Sequence, residues 1–267
     1  MTALIKKTTE IKLITVNQKT VGKEVQPRIL FTGDWLAEFG FKAETLVTAI
    51  YKSDVLKLEA HDTGIETYKS LVTNVRHNKG QIFQVLNAVP ALQKNKGRSI
   101  DLVIDGQFLV RLGFHIGDIL IIRKTYKKIE LRKFNPLDLG LNDFVNFQLA
   151  KVGKYTSKTH IFPCITIGST PLIKCGFTIN THLKATFLTE TIHFSRHDDT
   201  SISSSNKRSK THLTVLGKSR QGIKEAYISM LGAWVENLGY RVGDYLVLGM
   251  KQDNMIIKRI DLEKLLF

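Results

Sequence analysis

Alternating apolar and polar residues form short stretches along the chain, and one arrangement of these stretches occurs four times. Each copy has an alternating stretch, then a short segment with apolar residues at i, i+1 and i+4, then a glycine followed by an aromatic residue. Two further stretches rich in β-branched residues complete the copy. The pattern predicts a strand, a short helix that ends at the glycine in a left-handed conformation, and a hairpin. The glycine-aromatic pairs are Gly40-Phe41, Gly113-Phe114, Gly176-Phe177 and Gly239-Tyr240.

The four copies alternate between two types. After the glycine-aromatic pair, the second and fourth copies have a Gly-Asp pair where the first and third have a pair that ends in threonine. These pairs are Gly117-Asp118 and Gly243-Asp244 in one type, and Glu44-Thr45 and Asn180-Thr181 in the other. An aspartate in a turn commonly accepts backbone N–H bonds, so we expect Asp118 and Asp244 to fix the turn rather than to catalyse a reaction. The alternation indicates that a two-copy unit was itself duplicated.

A single copy would leave two strand edges uncovered and would contain too little core to be stable alone. We therefore expect the copies to fold in pairs, in two domains at residues 1–136 and 137–267. The boundary falls in the segment Asn135–Asp143, where Pro136 and polar turn-forming residues interrupt the pattern. Cys175 occupies an apolar position of the third copy, so we expect its thiol to pack in a core.

Two parts of the repeat resemble a known protein family. The string RILFTGDWLAEFGF at residues 28–41, and the segment Leu213–Asp244, are similar to the SymE toxin family within the AbrB/SpoVT/MazE group. The Gly-Asp pair also resembles the GD box of that group. The resemblance implies a swapped-hairpin β-barrel made from two copies, in proteins that usually bind DNA as homodimers. The expected fold is therefore mainly β with short helices, arranged as two tandem pseudo-dimeric swapped-hairpin (AbrB-like) β-barrels.

The charge of the chain indicates a polyanionic partner. Lysine and arginine number 39 against 24 aspartates and glutamates, which gives a net charge of +15 and a pI near 9.7. An excess of this kind raises both the encounter rate and the affinity for phosphate backbones. The N-terminal segment is polar and no apolar run approaches the ~20 residues that span a bilayer, so we expect a cytoplasmic, nucleoid-associated protein with no membrane partner. The two cysteines lack a CxxC spacing, and no metal or cofactor is expected.

Basic residues recur upstream of the core of each copy, in the strand-loop region that carries the DNA-contacting residues in AbrB-like proteins. The resemblance is to this region and its charge, and it implies nucleic-acid contacts by Lys19, Lys23, Lys94, Lys96, Arg98, Lys151, Lys154, Lys158, Lys218, Arg220 and Lys224. The second hairpin and the serine-rich segment Asp198–His212 add Lys127, Lys128, Lys207, Arg208 and Lys210. Tyr126 and Tyr155 are the aromatic residues set among lysines, and their small number favours contact with a duplex over stacking on single-stranded bases.

Two histidine-aspartate pairs, His61-Asp62 and His197-Asp198, resemble the HD pair of metal phosphohydrolases. That chemistry needs further His and Asp ligands on helices, whereas these pairs fall at predicted strand ends, so we interpret them as strand-end residues. Members of the SymE family are regarded as toxins that act on RNA or on the nucleoid. The resemblance therefore makes His61 and His197 the catalytic candidates if the protein is an endoribonuclease.

Three functions remain open from the sequence. The leading hypothesis is a non-enzymatic protein that binds nucleic acid, with DNA and in particular double-stranded DNA favoured over RNA, through phosphate contacts of the repeated basic loops. The second is a SymE-like toxin that cleaves RNA. The third is an adaptor, antitoxin or defence-linked module whose basic loops bind an acidic protein. The sequence leaves further oligomerisation, sequence specificity and the role of Thr63–Gly80 undecided.

Overall fold

The computed structural model of the chain describes residues 9–42, 45–61, 82–87, 89–90, 100–157, 160–197 and 211–265. The chain folds into two compact units. Unit 1 comprises Met1–Phe134 together with Leu262–Phe267, and unit 2 comprises Asn135–Asp261. The sequence pattern places the division between residues 136 and 137, close to the point where unit 2 begins.

Unit 1 contains the first two copies of the repeat. Its elements are β1 (Glu10–Thr15), β2 (Asn17–Val21), β3 (Glu24–Thr32), α1 (Trp35–Glu38), β4 (Leu46–Lys52) and β5 (Val55–His61), followed by β6 (Ile82–Asn87), β7 (Val89–Pro90), β8 (Ile100–Asp105), α2 (Gln107–Arg111), β9 (Ile119–Thr125) and β10 (Lys128–Lys133). A 3₁₀ turn at Leu262–Lys264 also belongs to this unit.

Unit 2 repeats this order of elements with the third and fourth copies. After a 3₁₀ turn at Pro136–Leu139 come β11 (Asn146–Lys151), β12 (Gly153–Ser157), β13 (His160–Ile167), α3 (Ser169–Lys174), β14 (His182–Leu188) and β15 (Thr191–Arg196), followed by β16 (His212–Thr214), β17 (Leu216–Arg220), β18 (Ile223–Leu231), α4 (Ala233–Asn237), β19 (Tyr245–Lys251) and β20 (Asn254–Ile260).

The strands of each unit form two antiparallel sheets, and both sheets mix strands from the two copies. Unit 1 has a six-stranded sheet in the order β1-β9-β10-β5-β4-β6 and a four-stranded sheet in the order β2-β3-β8-β7. Unit 2 has the corresponding sheets β11-β19-β20-β15-β14-β16 and β12-β13-β18-β17. In unit 1 the first copy adds β1 to β9 of the second copy, and the second copy adds β6 to β4 of the first. Each copy therefore covers a strand edge that the other would leave open.

The prediction of a mainly β fold with short helices is confirmed. The finer prediction of two swapped-hairpin β-barrels is not what the described strands show, because the described strands of each unit form two separate sheets with their own edge strands. The chain leaves the six-stranded sheet of unit 1 at Val16, where its N–H donates to the Asp118 carbonyl at 2.8 Å and its carbonyl accepts from the Gly117 N–H at 2.9 Å. Val152 makes the same pair of bonds with Gly243 and Asp244 in unit 2. These groups bond a turn rather than a strand, which interrupts the ladder between the two sheets.

The four α-helices in the described part of the chain each end at the predicted glycine. Gly40, Gly113, Gly176 and Gly239 have φ values of 86°, 73°, 73° and 91°. The N–H of the following aromatic residue bonds a carbonyl five positions earlier, as from Phe41 to Leu36 at 2.8 Å and from Phe177 to Leu172 at 2.8 Å. This is the bond of the Schellman motif. The motif turns each aromatic side chain into the core, where Phe41, Phe114, Phe177 and Tyr240 are fully buried.

The Gly-Asp turns are structural, as the sequence predicted. Asp118 Oδ2 accepts the His115 N–H, and Asp244 Oδ2 accepts the Arg241 N–H, each at 2.8 Å. The other two copies keep this bond with a hydroxyl acceptor: Lys42 donates to Thr45 Oγ1 at 3.1 Å and Thr178 donates to Thr181 Oγ1 at 2.9 Å. The third copy keeps the turn without glycine because Asn180 takes φ = 72°.

The core position expected for Cys175 is also observed: the residue is fully buried, and burial raises the pKa of its thiol to about 11.

Candidate nucleic-acid interface

The four-stranded sheet of each unit has one buried face and one face that points outward, which we call its outer face. Along β3, Pro27, Ile29 and Phe31 are buried, whereas Arg28 and Leu30 between them are only half-buried and lie on the outer face. Strands β13 and β18 alternate in the same way. The hairpins β2–β3, β12–β13 and β17–β18 carry most of the described residues that the sequence predicted to contact nucleic acid.

In unit 1 the β2–β3 hairpin carries two of the predicted lysines, one in an ion pair and one exposed. Lys19 lies on the outer face, where its Nζ is 2.6 Å from Asp105 Oδ2 on β8. Lys23 lies in the tight turn after Gly22, which has φ = 63°, and it is exposed. Lys23 is therefore directly accessible to a phosphate, whereas Lys19 must first exchange its bond to a carboxylate.

In unit 2 the predicted lysines of the two hairpins are exposed. Lys154 lies on the edge strand β12, Lys218 on the edge strand β17, and Lys224 near the start of β18. Lys218 is directly opposite Glu225, so part of its charge is balanced on the same face. Lys151 ends β11 with its Nζ 5.1 Å from the centroid of the Tyr245 ring, and Arg220 is the last residue of β17.

Lys127 and Lys128 lie at the β9–β10 turn, where the backbone has a structural role. Lys127 takes φ = 58°, donates its N–H to the Phe39 carbonyl at 2.6 Å and accepts the Ala60 N–H at 2.9 Å. The turn thereby bonds the end of α1 in the other copy. Lys128 Nζ lies 2.5 Å from Glu130 Oε1. Burial alone would raise the pKa of Glu130, but Lys128 and Arg123 outweigh it and hold that pKa below its ordinary value. The charge of Lys128 is thus already paired.

The remaining predicted contacts fall outside the described residues. They are Lys94, Lys96, Arg98, Lys158, Lys207, Arg208 and Lys210. The segment Thr63–Gly80, to which the sequence assigned no role, also lies outside them.

The two candidate histidines have ordinary structural partners in the described ranges. His61, at the end of β5, has its Nε2 2.9 Å from the Oγ1 of the buried Thr48. The His197 N–H donates to the His182 carbonyl at 2.9 Å, and the His197 ring lies 5.1 Å from the ring of His212. Asp62 and Asp198 lie outside the described residues. Within residues 9–61 and the other described ranges, no group of three His, Cys, Asp or Glu side chains could hold a metal ion.

Sequence reasoning missed an aromatic row on the outer face of unit 2. Tyr155 on β12 is directly opposite Phe162 on β13, and the His160 ring stacks on the Phe162 ring with centroids 6.0 Å apart and planes inclined by 19°. Tyr227 on β18 lies on the same face farther along the sheet. The alternation in HIFPCITI already places His160 and Phe162 on one face, and this signal could have identified them. The pairing of Phe162 with Tyr155 depends on the register of the hairpin.

A buried lysine distinguishes unit 1 and lies apart from the outer face. Lys124 on β9 is 1% exposed, and its Nζ lies 2.6 Å from Glu10 Oε2 and 4.1 Å from the centroid of the Trp35 ring. Burial lowers the pKa of Lys124, in part against the effect of Glu10. The ion pair and the aromatic ring together compensate for the loss of water around the ammonium group.

No protein-family model, curated protein or solved structure matches this chain. Among the described residues, no helix has the length and apolar character needed to cross a membrane.

Proposed function

We propose that this protein binds nucleic acid through the lysines of its exposed hairpins, and that double-stranded DNA is the polymer it contacts. The observation that carries the proposal is the recurrence of exposed lysines on equivalent hairpins of the repeat. Lys23, Lys154, Lys218 and Lys224 are all exposed on the hairpins of the four-stranded sheets. The four lysines occupy different positions within the hairpin, but random surface charge would not favour this same hairpin in the first, third and fourth copies.

The net charge supports the same polymer class. A chain with a charge of +15 attracts polyanions over a distance of about 10 Å at ordinary salt, and its short-range contacts then release counterions from the phosphate backbone. Contacts of this kind position the protein on a duplex without reading its sequence. The described helices are too short to serve as recognition helices, so base readout in a groove would require strands or hairpins.

The exchange of strands between copies supports a relation to the SymE and AbrB-like proteins. In that proposal each unit corresponds to a homodimer fused into one chain, with the hairpin β4–β5 of one copy beside the hairpin β9–β10 of the other. The N-terminal strand-loop region that contacts DNA in AbrB-like proteins then corresponds to β1–β2 and the turn that follows. Lys23 occupies that turn in unit 1.

Lysine substitutions test the proposed interface. We expect the triple variant Lys154→Ala/Lys218→Ala/Lys224→Ala to bind a duplex at least tenfold more weakly than the wild type, because three phosphate contacts are lost. Fluorescence anisotropy with a labelled duplex at fixed salt measures this change. Lys184→Ala is a matched control, since Lys184 is an exposed lysine on β14 of the six-stranded sheet. Equal losses in the triple variant and the control, or no duplex binding by the wild type, would contradict the proposal.

The same preparation distinguishes the two other hypotheses. Labelled RNA that stays intact during incubation with the wild type excludes the endoribonuclease, whereas cleavage that disappears in His61→Ala/His197→Ala supports it. An acidic protein that remains bound after nuclease treatment, with no direct affinity for nucleic acid, supports the adaptor.

A further inference from the structure

The outer face of the unit 2 four-stranded sheet carries aromatic side chains in an arrangement suited to flat ligands. Directly opposite residues on antiparallel strands have Cβ atoms about 5 Å apart, so Tyr155 and Phe162 are side by side. His160 lies two residues before Phe162 on the same strand and stacks on its ring. Three rings thus form a row that crosses the edge hairpin β12–β13. Tyr155 is 44% exposed, so packing against the protein does not account for its ring.

The charge around this row favours an anionic ligand, such as a phosphate polymer, over a cationic one. The segment from Gly153 to Ile167 contains no aspartate or glutamate. The exposed Lys154 precedes Tyr155 on the edge strand β12 and belongs to the opposite face of the sheet, so its ammonium group borders the row at the strand edge. A ring row with a neighbouring cation is the combination that single-stranded nucleic acid requires, because bases stack on the rings while the backbone follows the positive charge.

The face continues from the rings along the sheet with groups that can form hydrogen bonds. Thr166 on β13 is opposite Ser229 on β18, and Tyr227 lies two residues from Ser229 on the same face. At about 3.4 Å per residue, the six steps between the seven residues His160 to Thr166 cover ~20 Å. The face is thus long enough for several nucleotides laid along the strands. Hydroxyl groups at its centre can bond base edges or sugars.

We propose that this face binds the unpaired bases of single-stranded nucleic acid, with Tyr155 and Phe162 as the stacking platform. The inference rests on the proposed nucleic-acid function. It adds that unit 2 binds single strands, which phosphate contacts of the hairpin lysines alone would not distinguish from a duplex. Unit 1 lacks the platform, because the positions equivalent to Tyr155, Phe162 and His160 are Lys19, Gln26 and Glu24. Duplex contact by lysines and single-strand contact by rings are therefore separable properties of the chain.

The test compares single strands and a duplex of the same length in fluorescence anisotropy. The probes are labelled oligo(dT) and oligo(U) of about 12 nucleotides, within the ~4–16 nucleotides that one OB fold binds, and a duplex of equal length. We expect Tyr155→Ala and Phe162→Ala each to weaken single-strand binding about 5- to 150-fold, the range measured for the loss of one stacked base, and to leave duplex binding unchanged. Tyr155→Phe keeps the ring and should bind like the wild type. Gln26→Ala, at the equivalent position of unit 1, should have no effect.

Each outcome decides between the two proposals. If the wild type binds duplex but the alanine variants bind single strands normally, or lose both polymers equally, the stacking platform is wrong and the lysine interface stands. If the wild type binds neither polymer at low salt, the proposed function is wrong and the platform fails with it. Photocrosslinking of wild-type protein to an oligonucleotide with 5-iodouracil provides a readout that needs no variant. Crosslinks at Tyr155 or Phe162 support the platform, and crosslinks confined to other residues contradict it.

Discussion

The two four-stranded sheets have the same strand order, and their central pairs β3–β8 and β13–β18 share one register, but their outer faces differ in chemistry. In unit 1 the face holds the ion pair between Lys19 and Asp105, with Arg28 opposite Asp105 as well. In unit 2 the corresponding face holds Tyr155 and Phe162. The repeated scaffold requires only that alternate residues fill the core, so the outward positions were free to diverge. The comparison separates what the fold needs from what each unit presents to a ligand.

The interiors of the two units also differ, at the position where unit 1 buries a lysine. Lys124 and Glu10 are cross-strand partners in unit 1, and the equivalent partners in unit 2 are Met250 and Asn146. Trp35, which lies against Lys124, corresponds to Pro171. Unit 2 thus fills with an apolar side chain the position where unit 1 buries a charge. This difference gives the most sensitive tests of how each unit is stabilised.

The largest effect on stability is expected for Glu10→Ala. The change leaves the Lys124 ammonium buried without its counterion, and we expect it to lower the free energy of unfolding of unit 1 by about 2–3 kcal/mol, less than for a fully buried pair because Glu10 is partly exposed. Urea denaturation followed by tryptophan fluorescence measures the change. The background variant Trp234→Phe leaves Trp35 as the single tryptophan, so the signal reports unit 1.

Two controls sharpen this prediction. Asn146→Ala, at the equivalent position of unit 2, should change stability by less than about 0.5 kcal/mol, as surface substitutions do. Glu10→Asn/Lys124→Met reproduces the unit 2 residues and should recover most of the loss. A double variant as unstable as Glu10→Ala alone would show that the ion pair is not the cause.

The pH dependence of unit 1 follows from the same pair. Burial alone would raise the pKa of the Glu10 carboxyl, but hydrogen bonds and charges from Lys12 and Lys124 outweigh it and hold that pKa below its ordinary value. The folded pKa is below the unfolded one, so the stabilisation is present above the ordinary value of about 4.3 and is lost as the pH falls through the folded pKa. Urea titrations in that acidic range should show a steeper loss for wild type than for Glu10→Gln. Parallel curves for the two proteins would contradict the prediction.

A smaller effect is expected at the turn that differs between the two types of copy. Asp118→Ala removes the acceptor of the His115 N–H and the partner of Lys133 at 2.7 Å, and should cost about 1–2 kcal/mol. Asp118→Thr introduces the residue that serves in the other copies and should cost less than half as much. The measurement is again urea denaturation of unit 1. Equal losses in both variants would mean that the turn hydrogen bond contributes little.

The smallest effect concerns the aromatic residue of the glycine-aromatic pair. Tyr240 in unit 2 is fully buried, and its hydroxyl has no hydrogen-bond partner among the described residues, whereas the other three copies have phenylalanine. Tyr240→Phe should leave stability unchanged or raise it by up to about 1 kcal/mol, because it removes an unsatisfied polar group. Trp234 reports this change in a Trp35→Phe background. A loss above 1 kcal/mol would show that the hydroxyl is bonded.

Local features of the fold were predictable from the sequence, and the assembly of the sheets was not. The glycine of each repeat predicted the helix end, and the aspartates predicted the turn, because both depend on residues within one short segment. The pairing of β1 with β9 could not be predicted, since an alternating pattern identifies a buried face without identifying the neighbouring strand. The prediction of swapped-hairpin β-barrels came from the family resemblance, which did not account for the interruption of the ladder at Val16.

The candidate interface was predictable to the same degree. The positions of the exposed lysines followed from the hairpins, which are local. The neutralisation of Lys19 by Asp105 could not be predicted, because the two residues are 86 positions apart in the sequence. The aromatic row was missed for a related reason, since the position of Phe162 opposite Tyr155 depends on the register of the hairpin.

The salt dependence of duplex binding tests the central claim most directly. Titrations of a labelled duplex between about 50 and 200 mM salt should give a linear fall of log Kobs against log salt with a slope of about −3 or steeper, because the slope is ~0.9 per phosphate neutralised. The triple lysine variant of unit 2 should have a shallower slope than the wild type. A slope near zero, or no measurable binding at the lowest salt, would contradict the account.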